Sequence, residues 1–266
     1  MKSLISINEV RKIQLDILSF VDEVMKKNGI SYWLNAGTLL GCVRHKGYIP
    51  WDDDIDICML RNDYERFAEL INNENSYYKV LDMHKTDGYY YLFSKVVDTR
   101  THIIEKDLKE ISEMGIYIDV FPLDYLPSNN RKRRSIINKV FRLRAIIYYS
   151  LLNKNQVKKA SISTKIKYLF SVIYGNKKAM RKANNYCNRI NRMNGYYLSD
   201  LVASTEKRHF YPASYFDDTI LGMFEGKMFP IPKNFHEYLS VVYGDYMKLP
   251  PKEKQILTHD FKAFYR

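Results

Sequence analysis

The run "YIPWDDDIDICML" at residues 48–60 constrains the fold most tightly, because four aspartates crowd the head of an otherwise strand-like stretch. Asp52, Asp53, Asp54 and Asp56 repel one another, and burying an ionised carboxylate costs several kcal/mol unless it is compensated. Yet "DIDICML" (54–60) alternates and asks for a half-buried strand. A chain that keeps both features must open this strand where the negative charge meets something positive. With Asp54 and Asp56 on one strand, both side chains point the same way, with Cα atoms roughly 7 Å apart. Such a pair converges on a divalent cation, and Mg²⁺ takes a few carboxylates plus substrate phosphates. In "GIYIDVF" (115–121) a single Asp119 sits among apolar residues, the pattern of a central strand with one functional carboxylate. Asp119 is then a third ligand for the ion, or the acceptor of a proton from an attacking hydroxyl.

Upstream lies "GTLLGCVRHKG" (37–47). Gly37 and Thr38 offer turn amides, a hydroxyl and a helix start suited to phosphate oxygens. Arg44 and Lys46 add positive charge, and His45 adds more when protonated. A bare DDD run is most often a solvated acidic loop, but Ile55 and Ile57 set Asp56 inside a strand pattern. A calcium loop fails, since Ile57 occupies its required glycine and Asp63 its terminal glutamate. A glycosidase needs two carboxylates roughly 5–9.5 Å apart, but it does not need the Gly-Thr turn and basic residues before them.

Other elements frame this constellation. "SINEVRKIQLDILSFVDEVMKKNG" (6–29) reads as an amphipathic helix with Ser6 and Glu9 at capping-box spacing and Gly29 as its stop, and not as a secretory signal. Strands are expected at 31–36, 77–82, 89–97 and 101–105, and helices at 62–73, with Asn62 as N-cap, and near 234–243. Cys42, Cys58 and Cys187 form no paired spacing, so neither disulfides nor a zinc site is indicated and a reducing cytosol fits. Cys42 and Cys58 read as core, and Trp51 as packing beside the acidic loop.

The formal charge of +12 is unevenly placed. No acidic residue lies between Asp124 and Asp200, while residues 131–192 carry 18 Lys and Arg; the rest holds 24 basic against 30 acidic residues, a net −6. Within the block, Ile136, Val140, Leu143, Ile147 and Leu151 recur at helical spacing, as do Ile162, Ile166, Leu169 and Ile173. Apolar stripes bordered by lysine and arginine suit helices on an anionic membrane surface. Nucleic acid is the rival partner, but no nucleic-acid module accompanies the block, so none is expected.

The stretch "LNAGTLLGCVRHKGYIPWDDDIDICMLRNDYERF" (34–67) resembles the signature of the LicD family of phospho-alcohol transferases, a branch of the nucleotidyltransferase superfamily. The resemblance continues through "YYLFSKVVDTRT" (90–101), "IYIDVFPLDYLP" (116–127) and "FEGKMFPIPKNFHEYLSVVYGDYMKLPP" (224–251), ending near His259, and leaves out roughly 129–198. It implies an α+β fold: a nucleotidyltransferase-like core over residues 1–128 with a small mixed sheet flanked by helices. A basic helical insertion would follow at 129–198, and residues 199–266 would complete the site. It implies Asp54, Asp56 and Asp119 as catalytic, metal-holding carboxylates, with Mg²⁺ or alternatively Mn²⁺. Gly37, Thr38, Arg44 and His45 would bind substrate, as would Lys95, whose alternative is to snorkel to solvent. Tyr243 and Asp245 of "YGDY" would help line the donor pocket, aromatic walls being suited to a quaternary ammonium. The donor would be CDP-choline or another CDP-alcohol, the acceptor a lipid-linked bacterial surface glycan, and the place of action the inner face of the cytoplasmic membrane. Two alternatives stand beside this: a glycosyltransferase holding Mn²⁺ and UDP on its DxD, and a non-catalytic RNA-binding protein on a transferase core.

Overall fold

The computed structural model describes residues 3–257 and 261–266, apart from 75, 106–108, 194, 205 and 208; His259 lies outside them. Helix α1 (Ile7–Lys27) starts where the Ser6 hydroxyl accepts the Glu9 N–H and ends before Gly29, whose φ of +62° favours glycine. It buries Val10, Ile13, Ile17, Leu18, Val21 and Met25. Strand β1 (Trp33–Leu34), shorter than the expected 31–36, leads into α2 (Ala36–Arg44), and β2 (Asp56–Leu60) into α3 (Arg61–Asn73). The N-cap of α3 is Leu60, not Asn62. The helix begins early because Arg61, its first residue, is drawn into the core by Asp124.

Next come β3 (Tyr78–Leu81), β4 (Ser94–Asp98), β5 (Thr101–Glu105) and β6 (Tyr117–Leu126). The main sheet runs β1-β2-β6-β4-β3. Strands β2 and β6 are parallel and the other pairs antiparallel, so the sheet is mixed. Strand β6 is its spine, buried at every residue but Tyr125. Residues 89–93, expected to belong to the strand that became β4, stay outside it. Their aromatic rings instead form a cluster in which Tyr89, Tyr90 and Phe93 surround Tyr91.

The basic block forms α4 (Asn130–Ser150), α5 (Lys154–Lys159), α6 (Ile162–Tyr174) and α7 (Asn176–Asn191). Ile136, Val140, Leu143 and Ile147 of α4 meet Ala179, Ala183, Cys187 and Ile190 of α7 in a second apolar cluster. This layer is bolted to the sheet through buried polar groups. Arg61 grips Asp124 with two bonds of 2.9 and 2.8 Å, Asn184 of α7 accepts a third Arg61 N–H, and Asn191 donates to Asp124. The short strands β7 (Tyr197–Ser199) and β8 (Tyr211–Pro212) extend the far end of β6. The hairpin β9 (Thr219–Phe224) and β10 (Lys227–Pro232), then α8 (Phe235–Tyr243), complete the wall beside α2. Strand β11 (Phe261–Tyr265) pairs with β5.

Candidate active site

The parallel register of β2 and β6 places Asp56 opposite Asp119, and the antiparallel register of β6 and β4 places Lys95 opposite Asp119. Residues paired in register share one face of a sheet, so three charged side chains gather on one surface. Lys95 does not snorkel. It is 2% exposed, its Nζ donates to Asp119 Oδ1 at 2.6 Å, and it lies 3.5 Å from the Tyr117 ring centroid.

Asp54 departs from the expected strand. Strand β2 opens at Asp56, and Asp54 lies in the irregular approach to it. The cause is helix α1, which holds that approach by its backbone. Arg11 donates to the carbonyls of Ile49, Pro50 and Asp52, and Gln14 donates to that of Asp53. The Tyr48 hydroxyl returns to Gln14 and to the carbonyl of Arg11. Curled in this way, Asp52, Asp53 and Asp54 bring one carboxylate oxygen each within 4.8 Å of the others, a hard-oxygen set able to hold a cation. Asp56 and Asp119, paired in register on β2 and β6, stand with Asp54 in this acidic group. They are linked through their fields: loss of solvent, then Asp54, Asp119 and Asp52, push the Asp56 carboxyl well above the ordinary carboxylate range, and Lys95 opposes them.

Gly37 and Thr38 lie in the first turn of α2 and hold the acidic loop against it. A Cβ on Gly37 would sit 2.6 Å from Asp52 Oδ2, so a larger residue would push aside that carboxylate, which the positive end of the helix favours. The Thr38 hydroxyl accepts the Asp56 N–H at 2.8 Å. Ala36, just before them, has a φ of +43°, a strained value for a non-glycine residue at the site. Arg44 donates to the Tyr246 carbonyl at 2.6 Å. His45 is pushed below its ordinary value by burial and then by Arg44, which disfavours its charged form.

Two cavities meet at Tyr243, which lines both. One, of about 480 Å³, holds Asp56, Asp200, Tyr211 and Tyr238. The other, of about 350 Å³, holds Gly37, Asp52 and Asp245 with the cations Arg44, Lys248 and Lys254. Burial, then Asp56, Asp52 and Asp54, raises the Tyr243 phenol. Trp51 lines the second cavity and meets His45 edge-on; Cys42 and Cys58 are buried.

Sequence reasoning missed Asp200, whose carboxyl burial pushes up to about 7 against the opposing charge of Arg144. Its one signal was position, as the first acidic residue after the long acid-free span. Tyr211 and Tyr238 were hidden among 23 tyrosines. Here they stack edge-to-face at 4.7 Å, and the Tyr238 hydroxyl donates to Asn35 beside α2.

A family model described as "LicD/FKTN/FKRP, nucleotidyltransferase domain" matches residues 29–134, the segment that carries Gly37 through Asp119. Across 98% of both chains, the sequence is 31% identical to the lipopolysaccharide cholinephosphotransferase LicD of Haemophilus influenzae. The chain belongs to the LicD family. As a LicD-family protein it is a phosphotransferase. More distant similarity is local: 43% identity over 51 residues to human ribitol 5-phosphate transferase FKRP, covering 19% of this chain and 10% of that one. Mouse ribitol-5-phosphate transferase FKTN is 34% identical over 55 residues, 21% of this chain and 12% of its own.

Proposed function

We propose that this LicD-family protein transfers phosphocholine, or a related phospho-alcohol, from a CDP-activated donor to a sugar hydroxyl of a lipid-linked surface glycan, releasing CMP. The observation that carries the reading is Asp56 in register with Asp119, backed by Lys95 and fronted by the Asp52–Asp54 loop. The names of the relatives supply the class of group transferred and the kind of acceptor. In this reading residues 1–128 are a nucleotidyltransferase-like core, 129–198 an insertion, and 199–266 the part that completes the site.

The donor set fits a hard divalent cation, Mg²⁺ before Mn²⁺, because it offers carboxylate oxygens without sulfur or imidazole. When bound, the ion neutralises the diphosphate and the departing CMP. Asp54, shared by the tight aspartate group and the field around Asp56, holds it together with Asp56. Asp119, fixed by Lys95, serves better as the proton acceptor than as a third ligand. The cavity with Arg44, Lys248 and Lys254 takes the CDP end, and the cavity with Asp56, Asp200 and the tyrosines takes the acceptor sugar. The acceptor oxygen then attacks the phosphorus distal to the cytidine. The bond from that phosphorus to the CMP oxygen breaks, and Asp119 takes the hydroxyl proton. Such a displacement needs mainly positioning and charge.

The test is CMP release by the purified protein from CDP-choline, CDP-ribitol, CDP-glycerol and CDP-ethanolamine. At least one donor turns over in a Mg²⁺-dependent manner, and Asp56→Asn lowers that rate by roughly 10³-fold, the scale of a lost electrostatic contact at a reacting group. A near-normal rate in Asp56→Asn, or release of a nucleoside diphosphate from a UDP-sugar instead, overturns the proposal.

A further inference from the structure

Helix α6 is built inside out. A helix on a globular protein turns its apolar stripe to the core and its polar face to water. In α6 the inward positions are Thr164, Tyr168 and Ser171, and Ser171 is its one buried residue. The outward stripe is Ile162, Ile166, Leu169, Phe170 and Ile173, exposed by 78, 64, 60, 57 and 77%. These positions follow the i, i+4, i+7, i+8, i+11 spacing of one continuous face. A contiguous exposed apolar face of this kind marks an interaction surface.

The charges around it say what covers it. Lys158 and Lys159 end α5, Lys165 and Lys167 flank the stripe, and Lys178 and Lys182 follow on α7, all of them exposed. No acidic residue occurs from 125 to 199. Apolar side chains framed by lysines, on a helix too short and too charged to cross a bilayer, match an anionic lipid surface. A second copy of the same face would instead set lysines against lysines.

We infer that α6 is an interfacial anchor that lies in the headgroup layer of an anionic membrane, with its isoleucines, Leu169 and Phe170 in the acyl boundary. Two adjoining cavities link the anchor to the site. Lys167 of α6 reaches the hydroxyl of Tyr149 at 3.4 Å, and Tyr149 lines an aromatic cavity of about 510 Å³. Ala203 and Ser204 line both that cavity and the one holding Asp56. A glycan whose lipid end stays in the bilayer is thereby presented beside the carboxylates. The lipid contact itself stands apart from the transfer reaction and holds or fails without it.

The experiment is flotation of the full chain with phosphatidylcholine vesicles, with and without phosphatidylglycerol. The anionic vesicles retain at least about tenfold more protein, and added salt weakens the binding. Ile166→Glu/Phe170→Glu loses it without a change in melting temperature, since both side chains are exposed. Asp56→Asn keeps it, which separates this inference from the catalytic one. As a second readout that needs no disruptive change, the indole emission of a Phe170→Trp variant shifts to the blue on anionic vesicles. Equal retention by both lipids, an unmoved emission in the Phe170→Trp variant, or a dimer that the double glutamate variant dissociates overturns the assignment.

Discussion

The molecule buries acidic groups in two ways that lie along a single strand. At one end of β6, Asp119 shares its surface with Asp56 and the Asp52–Asp54 loop, and the buried Lys95 pairs with Asp119. Five positions further along, Asp124 is fully buried, held in a bidentate grip by Arg61 and by a further bond from Asn191. Asp124 is neutralised within the fold, whereas burial and then the neighbouring carboxylates push the Asp56 carboxyl well above the ordinary range. Asymmetry of that kind separates a site from a strut. A compensated ion pair fixes one arrangement of the layers. A carboxyl that burial and its neighbours destabilise in the charged form keeps an affinity in reserve for a ligand that brings its own positive charge.

Opposite responses to the same chemical change are therefore expected, and a shared response breaks the comparison. Asp124→Asn strands the Arg61 guanidinium in the interior and costs about 3–5 kcal/mol. Asp56→Asn removes a carboxyl that its neighbours already destabilise, and gains roughly 1 kcal/mol in the absence of divalent cation. Urea unfolding of both variants in chelator checks this. A destabilised Asp56→Asn means that the fold favours the Asp56 carboxyl and that the two ends of β6 behave alike.

Much of this layout was legible in the sequence, because local signals point to local structure. The Ser6 cap and Gly29 stop delimit α1, and the lone Asp119 marks a central strand at the site. Non-local contacts were not legible. Asp54 leaves the strand because Arg11 and Gln14, some forty residues earlier, hold the backbone of the acidic loop. Periodicity found both apolar stripes of the basic block and assigned both to a membrane surface. The α4 stripe packs against α7 and α6 alone turns its stripe outward, since spacing says that a helix has an apolar face and not what covers it. Sequence left Lys95 free to snorkel, and the facing Asp119 is what holds it inside. Asp200 enters the cavity that holds Asp56 by tertiary packing alone.

Asp200 sharpens the comparison at intermediate scale, because its carboxyl is buried yet opposed by a nearby arginine. The folded value of about 7 lies above the ordinary carboxylate value of 3.8. The folded state therefore holds a proton that the unfolded state has released, and stability falls as pH rises between those two values. Between pH 5 and 6.5 this amounts to about 2 kcal/mol, at up to 1.4 kcal/mol per pH unit. Asp200→Asn removes that slope, so the difference in unfolding free energy between variant and parent grows toward pH 7. A constant difference across this range means that Asp200 is ionised in the fold throughout.

The smallest expected effect concerns how the acidic cluster is aimed. The Thr38 hydroxyl accepts the N–H of Asp56 where β2 begins. Thr38→Val leaves that buried N–H unpaired at nearly constant volume and costs on the order of 1–2 kcal/mol. Thr38→Ser keeps the oxygen and costs less. If the turn only positions Asp56, valine lowers turnover while the KM for the CDP-alcohol stays near that of the parent, and serine restores turnover. If Thr38 instead holds donor phosphate directly, valine raises KM and serine restores it. The separation of kcat from KM thus decides whether the first turn of α2 belongs to the strut or to the site.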